Sequence, residues 1–412
     1  MAKKLYEESK IIAIANAIRK KGGVGTWTTE EMPEAIKNLP FYKDFNITDF
    51  LVEVFNGTLD PVILPEGVTK IDAPKIQIVS PLPSTITYVN LAYWPDSEIK
   101  EKIEFPEGIT EFYGSSPFGG ARPYNQVIKE IVFPESTETL SSYVISGTPN
   151  LEKITLKGKL TSIPNGAFRS CPKLKTVDII APVETINSYA FQSCGSLENL
   201  TIPTTVTELK EYALGNIGNN AYIDGQSVFQ CALNKISILN GAAIKSTSTY
   251  CCSGNGQNNN TTVGVKEIEI GDGCTTIPKR FASSNGALRT VTFTDSVKII
   301  DENAFSGCKS LENLNLHSVE EIKSYAFQNT KLTSLIIPDT CTAIGTMAFA
   351  YTDLEEIYLP STIETIGSNA LSVNDKANLV INCGFSEGAV SGAPWGATGA
   401  TINYDVSAPT AE

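Results

Sequence analysis

Histidine is nearly absent from this sequence: its 412 residues include one, His317. A lone histidine supports neither a zinc site nor a Ser-His-Asp triad, and no HExxH motif or paired-carboxylate constellation stands elsewhere to replace it. Gly22, Gly23 and Gly25 follow no strand pattern, which removes a phosphate loop. The chain therefore reads as a non-enzyme with no cofactor and no metal. Long apolar runs are missing too. None approaches the roughly 18 residues of a spanning helix, so no membrane insertion is expected. Lysines precede an apolar stretch at the N-terminus, but Tyr6, Glu7, Glu8 and Ser9 interrupt it, and Asn16 and Arg19 cut it short. No export signal is expected from that arrangement. An excess of positive charge is also lacking: 32 basic against 45 acidic residues leave a formal charge of −13. That balance repels nucleic acid and anionic lipid.

What is present is a repeat. An aliphatic version of Leu-x-x-Leu-x-Leu appears at Ile128, Ile131, Phe133 and again at Leu151, Ile154, Leu156. It recurs with starts at Leu174, Leu197, Leu233, Val265, Leu288, Leu311, Leu332 and Leu354, spaced 23, 23, 23, 36, 32, 23, 23, 21 and 22 residues apart. A second phased feature is Ala-Phe, at Ala167-Phe168, Ala190-Phe191, Ala304-Phe305, Ala326-Phe327 and Ala348-Phe349, with Ala213-Leu214 and Ala370-Leu371 as variants. Between them runs Pro-x-x-aliphatic-x-x-Ile, as in Pro360, Ile363, Ile366. Each repeat then predicts a strand with period-2 alternation (Leu314 and Leu316 inward, Asn313 and Asn315 outward). Proline ends it, because it cannot donate to a continuing ladder. A second extended piece and a turn that carries an aromatic inward complete the coil. One such unit cannot bury its own apolar face, so the units must stack into a solenoid. His317 falls in the slot that Pro338 and Pro360 occupy elsewhere. Glu107, Glu135 and Asp339 recur because the turn after the strand recurs, which makes them solvated turn residues.

The nine cysteines follow the same phase. Cys171, Cys194 and Cys308 share one repeat slot, and Cys274 and Cys341 stand where Val206, Val297 and Ile363 stand in other repeats. A cysteine exchanging with valine acts as a small buried hydrophobe, so reduced, structural thiols are expected. The vicinal pair Cys251-Cys252 fits no slot in this scheme.

The ends differ from the middle. Ile11, Ile14, Ala15 and Ile18 form one apolar stripe, and Met32, Ala35, Ile36 and Leu39 form another, both at helical spacing. Lys20, Lys21 and Gly22 close the first helix, while Thr28 with Glu31 makes a capping box and Pro33 lies in the first turn of the second. Residues 1–40 thus predict a helical hairpin that must pack on the first coil or on another chain. Upstream of the regular array, Leu64-Pro65, Leu82-Pro83 and Phe105-Pro106 repeat the strand-ending motif, which places the solenoid at 44–383 and a C-terminal cap and tail at 384–412. Two segments break the period: 111–126, carrying Tyr113, Phe118, Arg122 and Tyr124 among glycines, and 215–264. Aromatic and arginine side chains on a loop suit contact with a protein or a glycan, and such loops emerge on one face. Neutral decoration is the simpler account of both. Trp395 is expected to cover the end of the last coil.

The segments AFSGCKSLENLNL (304–316) and AFAYTDLEEIYLP (348–360) resemble the BspA-like class of leucine-rich repeats. The fold class that follows is a β-rich leucine-rich-repeat solenoid with 22–23-residue repeats and a small N-terminal helical hairpin. The resemblance implies recognition or adhesion and brings no catalytic residues; such proteins occur on bacterial and protist surfaces and in bacteriophage structural proteins. Residues 6–39 resemble an N-terminal segment of phage tail-associated proteins, and 381–405 a closing segment of phage and prophage proteins. These imply a tail- or baseplate-associated virion component made in the host cytoplasm, with a bacterial cell-surface adhesin as the alternative. On that reading Ile11, Ile14, Ile18, Met32, Ile36 and Leu39 dock to other virion subunits or a second copy, and the insertions face a host surface protein or glycan.

Overall fold

A computed structural model describes residues 101–409 except 106, 115–127, 216, 218–220, 224–225, 229–231, 246–247, 254–263 and 376, together with the strands Lys70–Ile71 and Tyr88–Asn90. The helical hairpin expected over residues 1–40 lies outside the described residues. Among the described residues there is one 3-10 turn, Gly241–Ala243, and no helix is long and apolar enough to cross a membrane. Everything else that is regular is short strand, wound into a solenoid of about eleven turns.

Two parallel ladders run along the rod. The first is built from the Leu-x-x-Leu-x-Leu strands. Lys102–Glu104, Glu130–Val132, Lys153–Leu156 and Thr176–Ile179 form one sheet, and Asn199–Ile202, Lys235–Ile238, Glu267–Ile270 and Thr290–Thr292 form the next. A third sheet joins Ser334–Ile336, Glu356–Leu359, Val380–Cys383 and Thr401–Asn403, with the isolated bridge Thr290–Asn313 leading toward it. The register is unshifted from coil to coil: Leu200, Ile236, Ile268 and Val291 align, as do Leu335, Ile357, Ile381 and Ile402. Identical positions therefore stack on themselves. That is the physical content of the period, since a one-residue slip would turn every aliphatic outward.

The second ladder consists mostly of two-residue strands from the Pro-x-x-aliphatic-x-x-Ile segment. Its clearest run is Thr276–Ile277, Ile299–Ile300, Glu321–Ile322, Ala343–Ile344 and Thr365–Ile366. Pro203, Pro338 and Pro360 do more than end the preceding strand. Their carbonyls accept turn hydrogen bonds from Val206, Cys341 and Ile363 three residues on.

The Ala-Phe turn contributes a third line of hydrogen bonds between coils. Phe305 N–H donates to Ala326 O, Phe327 to Ala348 O and Phe349 to Ala370 O, at 2.8–2.9 Å. Aiming the amide at the next coil requires a left-handed residue before the pair. Tyr143, Tyr189, Tyr212, Tyr250, Arg280, Asn303, Tyr325, Met347 and Asn369 all hold φ between 53° and 61° there. None is β-branched, which that conformation excludes. A second left-handed position four residues later holds Ser170, Ser193, Ser284, Asn329 and Tyr351. The strain, roughly 1–2 kcal/mol per residue, recurs in coil after coil and is offset by the hydrogen bonds that only a stacked neighbour supplies. Phe168, Phe191, Phe305, Phe327 and Phe349 are fully buried beneath these turns.

Candidate binding surface

The outward positions of the first ladder form a polar sheet face. Lys102 Nζ lies 3.7 Å from Glu130, Lys153 Nζ 2.9 Å from Asp178, and Lys235 Nζ 2.9 Å from both Glu267 and Glu269. Hydrogen bonds donated to Glu267 and Glu269 hold the Lys235 ammonium above its usual range, and hydrogen bonds accepted from Lys235 and then Ser237 hold Glu269 below its own. These are cross-strand charge pairs between coils, exposed and individually weak. Toward the end of the rod, Asn403 donates to Asn382, which donates to Glu356. Among the described residues no group of three or more His, Cys, Asp or Glu is placed to hold a metal ion.

Two of the insertions leave from one corner. The lengthened stretch 215–264 resolves into two insertions, because residues 232–253 form a complete coil between them: Lys235–Ile238 pairs in register with Asn199–Ile202 and with Glu267–Ile270. One insertion follows Gly215 and carries the antiparallel pair Ala221–Ile223 and Gln226–Val228; the other follows Ser253 and ends at Gly264. The insertions after Gly215 and Ser253 both lie between the Ala-Phe turn, or its equivalent, and the next first-ladder strand. The stretch after Gly114 also precedes a first-ladder strand, Glu130–Val132, but it follows the second-ladder strand Glu111–Tyr113 directly. Insertion ends are pinned: Gly114 N–H donates to Ser141 Oγ at 2.9 Å, and a Cβ on Gly264 would meet Asn285 Oδ1 at 1.9 Å. Tyr113 is half-buried in the second ladder, at the end of Glu111–Tyr113, so it belongs to the scaffold at the foot of the insertion. Phe118, Arg122 and Tyr124 lie outside the described residues, as do the docking residues Ile11, Ile14, Ile18, Met32, Ile36 and Leu39.

Cys251-Cys252 does have a slot. Tyr250 has φ 54, Cys252 N–H donates to Phe281 O, and Cys251 O accepts from Leu214 N–H, so the pair occupies the Ala-Phe place of its coil. The signal available was the preceding tyrosine, shared with Tyr189-Ala190-Phe191 and Tyr212-Ala213-Leu214. All eight cysteines among the described residues are buried and unpaired in disulfides. Those in the Cys171 slot are also hydrogen-bond donors. Sγ–H of Cys171, Cys194 and Cys308 reaches Ile145, Phe168 and Ala282 carbonyls at 3.1–3.3 Å, where Thr148, Thr330 and Thr352 instead donate to their own turn. Burial raises the Cys171 thiol to about 12 and those of Cys274 and Cys341 to about 11, far from any nucleophilic role.

His317 packs on Phe293 with ring centroids 5.6 Å apart, and its Nδ1 stands 3.4 Å from Asp295. It is a turn residue at φ 46. Trp395 is 2% exposed, meets Phe385 edge-on, and donates from Nε1 to Ser391 O, while its own carbonyl accepts from Leu371. It thus closes over the last Ala-Leu turn.

One arrangement went unseen in the sequence. The left-handed residues before the small apolar pairs project along the rim of the rod. Tyr189 stacks on Tyr212 with centroids 5.1 Å apart, Tyr212 on Tyr250 at 4.8 Å, and the Arg280 guanidinium lies over Tyr250 at 5.5 Å. These residues are 38 and 30 positions apart where the insertions intervene, so no fixed spacing announces them. Only stacking of the coils brings them together.

A family model described as a BspA type leucine rich repeat region matches residues 99–221 and 275–387 in six copies, more than half of the chain. A solved leucine-rich repeat protein from Bacteroides ovatus is similar at 24% identity over 78% of this chain and 76% of its own, with a TM-score of 0.56. The pneumococcal vaccine antigen PcpA is 18% identical over 82% of this chain and 83% of its own, with a TM-score of 0.36. A leucine rich cell surface protein from Faecalibacterium prausnitzii is 18% identical over 82% and 87%, with a TM-score of 0.31. No curated protein sequence matches the chain.

Proposed function

Because the chain belongs to the BspA-type leucine-rich repeat family, we propose that it is a non-enzymatic recognition protein, carried on a bacteriophage virion as a tail- or baseplate-associated component. The observation that carries the recognition reading is the common corner of the two insertions after Gly215 and Ser253. An unshifted register from Asn199–Ile202 through Glu267–Ile270 presents both on one side, where a single ligand surface meets them. A host surface protein or glycan is the partner on that side. The virion assignment is supported by the resemblance of residues 6–39 and 381–405 to phage tail-associated segments, with the N-terminal stripes docking to virion subunits or to a second copy.

A second reading, an adhesin on a bacterial surface, is supported by family membership, since members of this family occur there. Immunogold labelling separates the two. Label on purified particles is the expected result; label confined to the cell envelope replaces the virion reading by the adhesin. Deleting residues 1–40 should abolish assembly while leaving the far-UV spectrum of the rod unchanged. A truncated chain that assembles like the full one makes that segment a cap.

A further inference from the structure

The rim column of Tyr189, Tyr212, Tyr250 and Arg280 lies beside the places where two insertions leave the coil, at Gly215 and Ser253. Its rings are nearly parallel, 15° and 4° apart, so both faces of Tyr212 are covered by neighbours and Tyr250 lies between Tyr212 and Arg280. What half-buried residues in this arrangement offer to solvent is a row of ring edges and phenol oxygens. Among the described residues no group hydrogen-bonds those oxygens. Burial, followed by the neighbouring Tyr250, Tyr189 and Glu211, raises the Tyr212 phenol and keeps it a neutral donor and acceptor.

Arg280 ends the row. Its backbone N–H donates to Glu302 O, but the Glu302 carboxylate is already taken, by Lys279 Nζ at 2.9 Å and Asn303 Nδ2 at 3.0 Å. Among the described residues the guanidinium has no carboxylate partner. In a chain of net charge −13, an arginine placed over a tyrosine, with no carboxylate partner among the described residues, is a preorganised fork for an anion.

The spacing selects the ligand. The row advances by 5.1, 4.8 and 5.5 Å. An extended peptide advances by about 3.3 Å per residue and twice that per side chain on one face, and neither step matches. One pyranose unit of an extended glycan does. We propose that Tyr189, Tyr212, Tyr250 and Arg280 form a binding strip for an extended acidic glycan lying along the rod, one sugar per coil, with a sugar carboxylate on Arg280. This rests on the recognition reading and gives it a ligand class.

The test uses the full chain and tetragalacturonate, titrated by calorimetry, with its methyl ester and a glutamate tetrapeptide as controls. Saturable binding of the acid is expected, weakened roughly tenfold or more by esterification, by Arg280→Gln and by Tyr212→Ala. Arg280→Lys should recover only part of the loss, because an ammonium lacks the fork. Far-UV spectra confirm that each variant keeps the rod. Absent binding, equal binding by folded Arg280→Gln, or preference for the peptide overturns the proposal. A competition arm separates it from the reading beneath it. Adhesion of the chain to host cells that tetragalacturonate fails to displace overturns the glycan strip and leaves recognition standing. Tetragalacturonate binding without cell adhesion does the reverse.

Discussion

Coils 288–371 and coils 199–290 are built on the same plan and packed differently. In the first region the aromatic column is inside: Phe305, Phe327 and Phe349 stack at 5.5 Å with their planes 9° and 4° apart. In the second the interior column is interrupted. Cys252 and Ala282 stand in successive Phe places, and Phe281, in the Ala place of its coil, meets Phe305 edge-on at 6.5 Å to supply volume from the neighbouring position. The regular aromatic stack there has moved to the rim, as Tyr189, Tyr212 and Tyr250. The region that carries two insertions is thus the one with the irregular interior and the ordered surface. Backbone hydrogen bonds tolerate this, because the turn ladder depends on φ and not on which side chain lies beneath it.

The two regions should nonetheless be equally dry, and the thiols report on that. The folded values are raised from 9.0, to about 11 at Cys274 and Cys341 and to about 12 at Cys171 and Cys383. A raised folded value means the stability is complete below the unfolded value near 9 and is lost as pH climbs through the folded ones. We expect thermal stability to be flat up to about pH 9 and to fall steeply between there and about 12, with native thiols unreactive toward a disulfide reagent at pH 8. Fast modification of Cys251 or Cys252 alone would show that the irregular region breathes.

Among substitutions, Phe327→Ala should be the most damaging, costing about 3–5 kcal/mol in urea unfolding, because both of its stacking partners lose a face. Cys252→Phe restores the repeat consensus and should still destabilise, by about 1–3 kcal/mol, since Phe281 already occupies the space. A stabilised Cys252→Phe variant would mean that the interrupted column holds a void. Tyr212→Ala should cost only about 0.5–1.5 kcal/mol beyond its modest burial. If it matches Phe327→Ala, the rim carries the load and the contrast between the regions fails.

Most of the fold was legible. The aliphatic period, the strand-ending prolines and the buried phenylalanines each follow from local chemistry repeated at constant spacing. The slot shared by Cys171, Cys194 and Cys308 was legible as buried, although its hydrogen bonds to the previous coil were not, since they span 26 residues. The surface was harder. Tyr113 stood out in the sequence as a loop aromatic, yet the Glu111–Tyr113 strand continues a ladder begun at Lys70–Ile71, and pairing with Tyr88–Asn90 sets its place. Cys251-Cys252 was opaque because the identity of a slot resides in a left-handed backbone residue, and φ is not written in side-chain type.

The sequence by itself determined the unit: a strand, a proline turn, a second strand and a turn that buries an aromatic, with stacking forced because one unit cannot cover its own apolar face. Only the tertiary structure decided what the units present together. A solenoid brings equivalent residues of neighbouring coils to within about 5 Å whatever their separation in sequence. Tyr212 and Tyr250, 38 residues apart, therefore touch, and the points at which the insertions after Gly215 and Ser253 leave the rod became one shared corner.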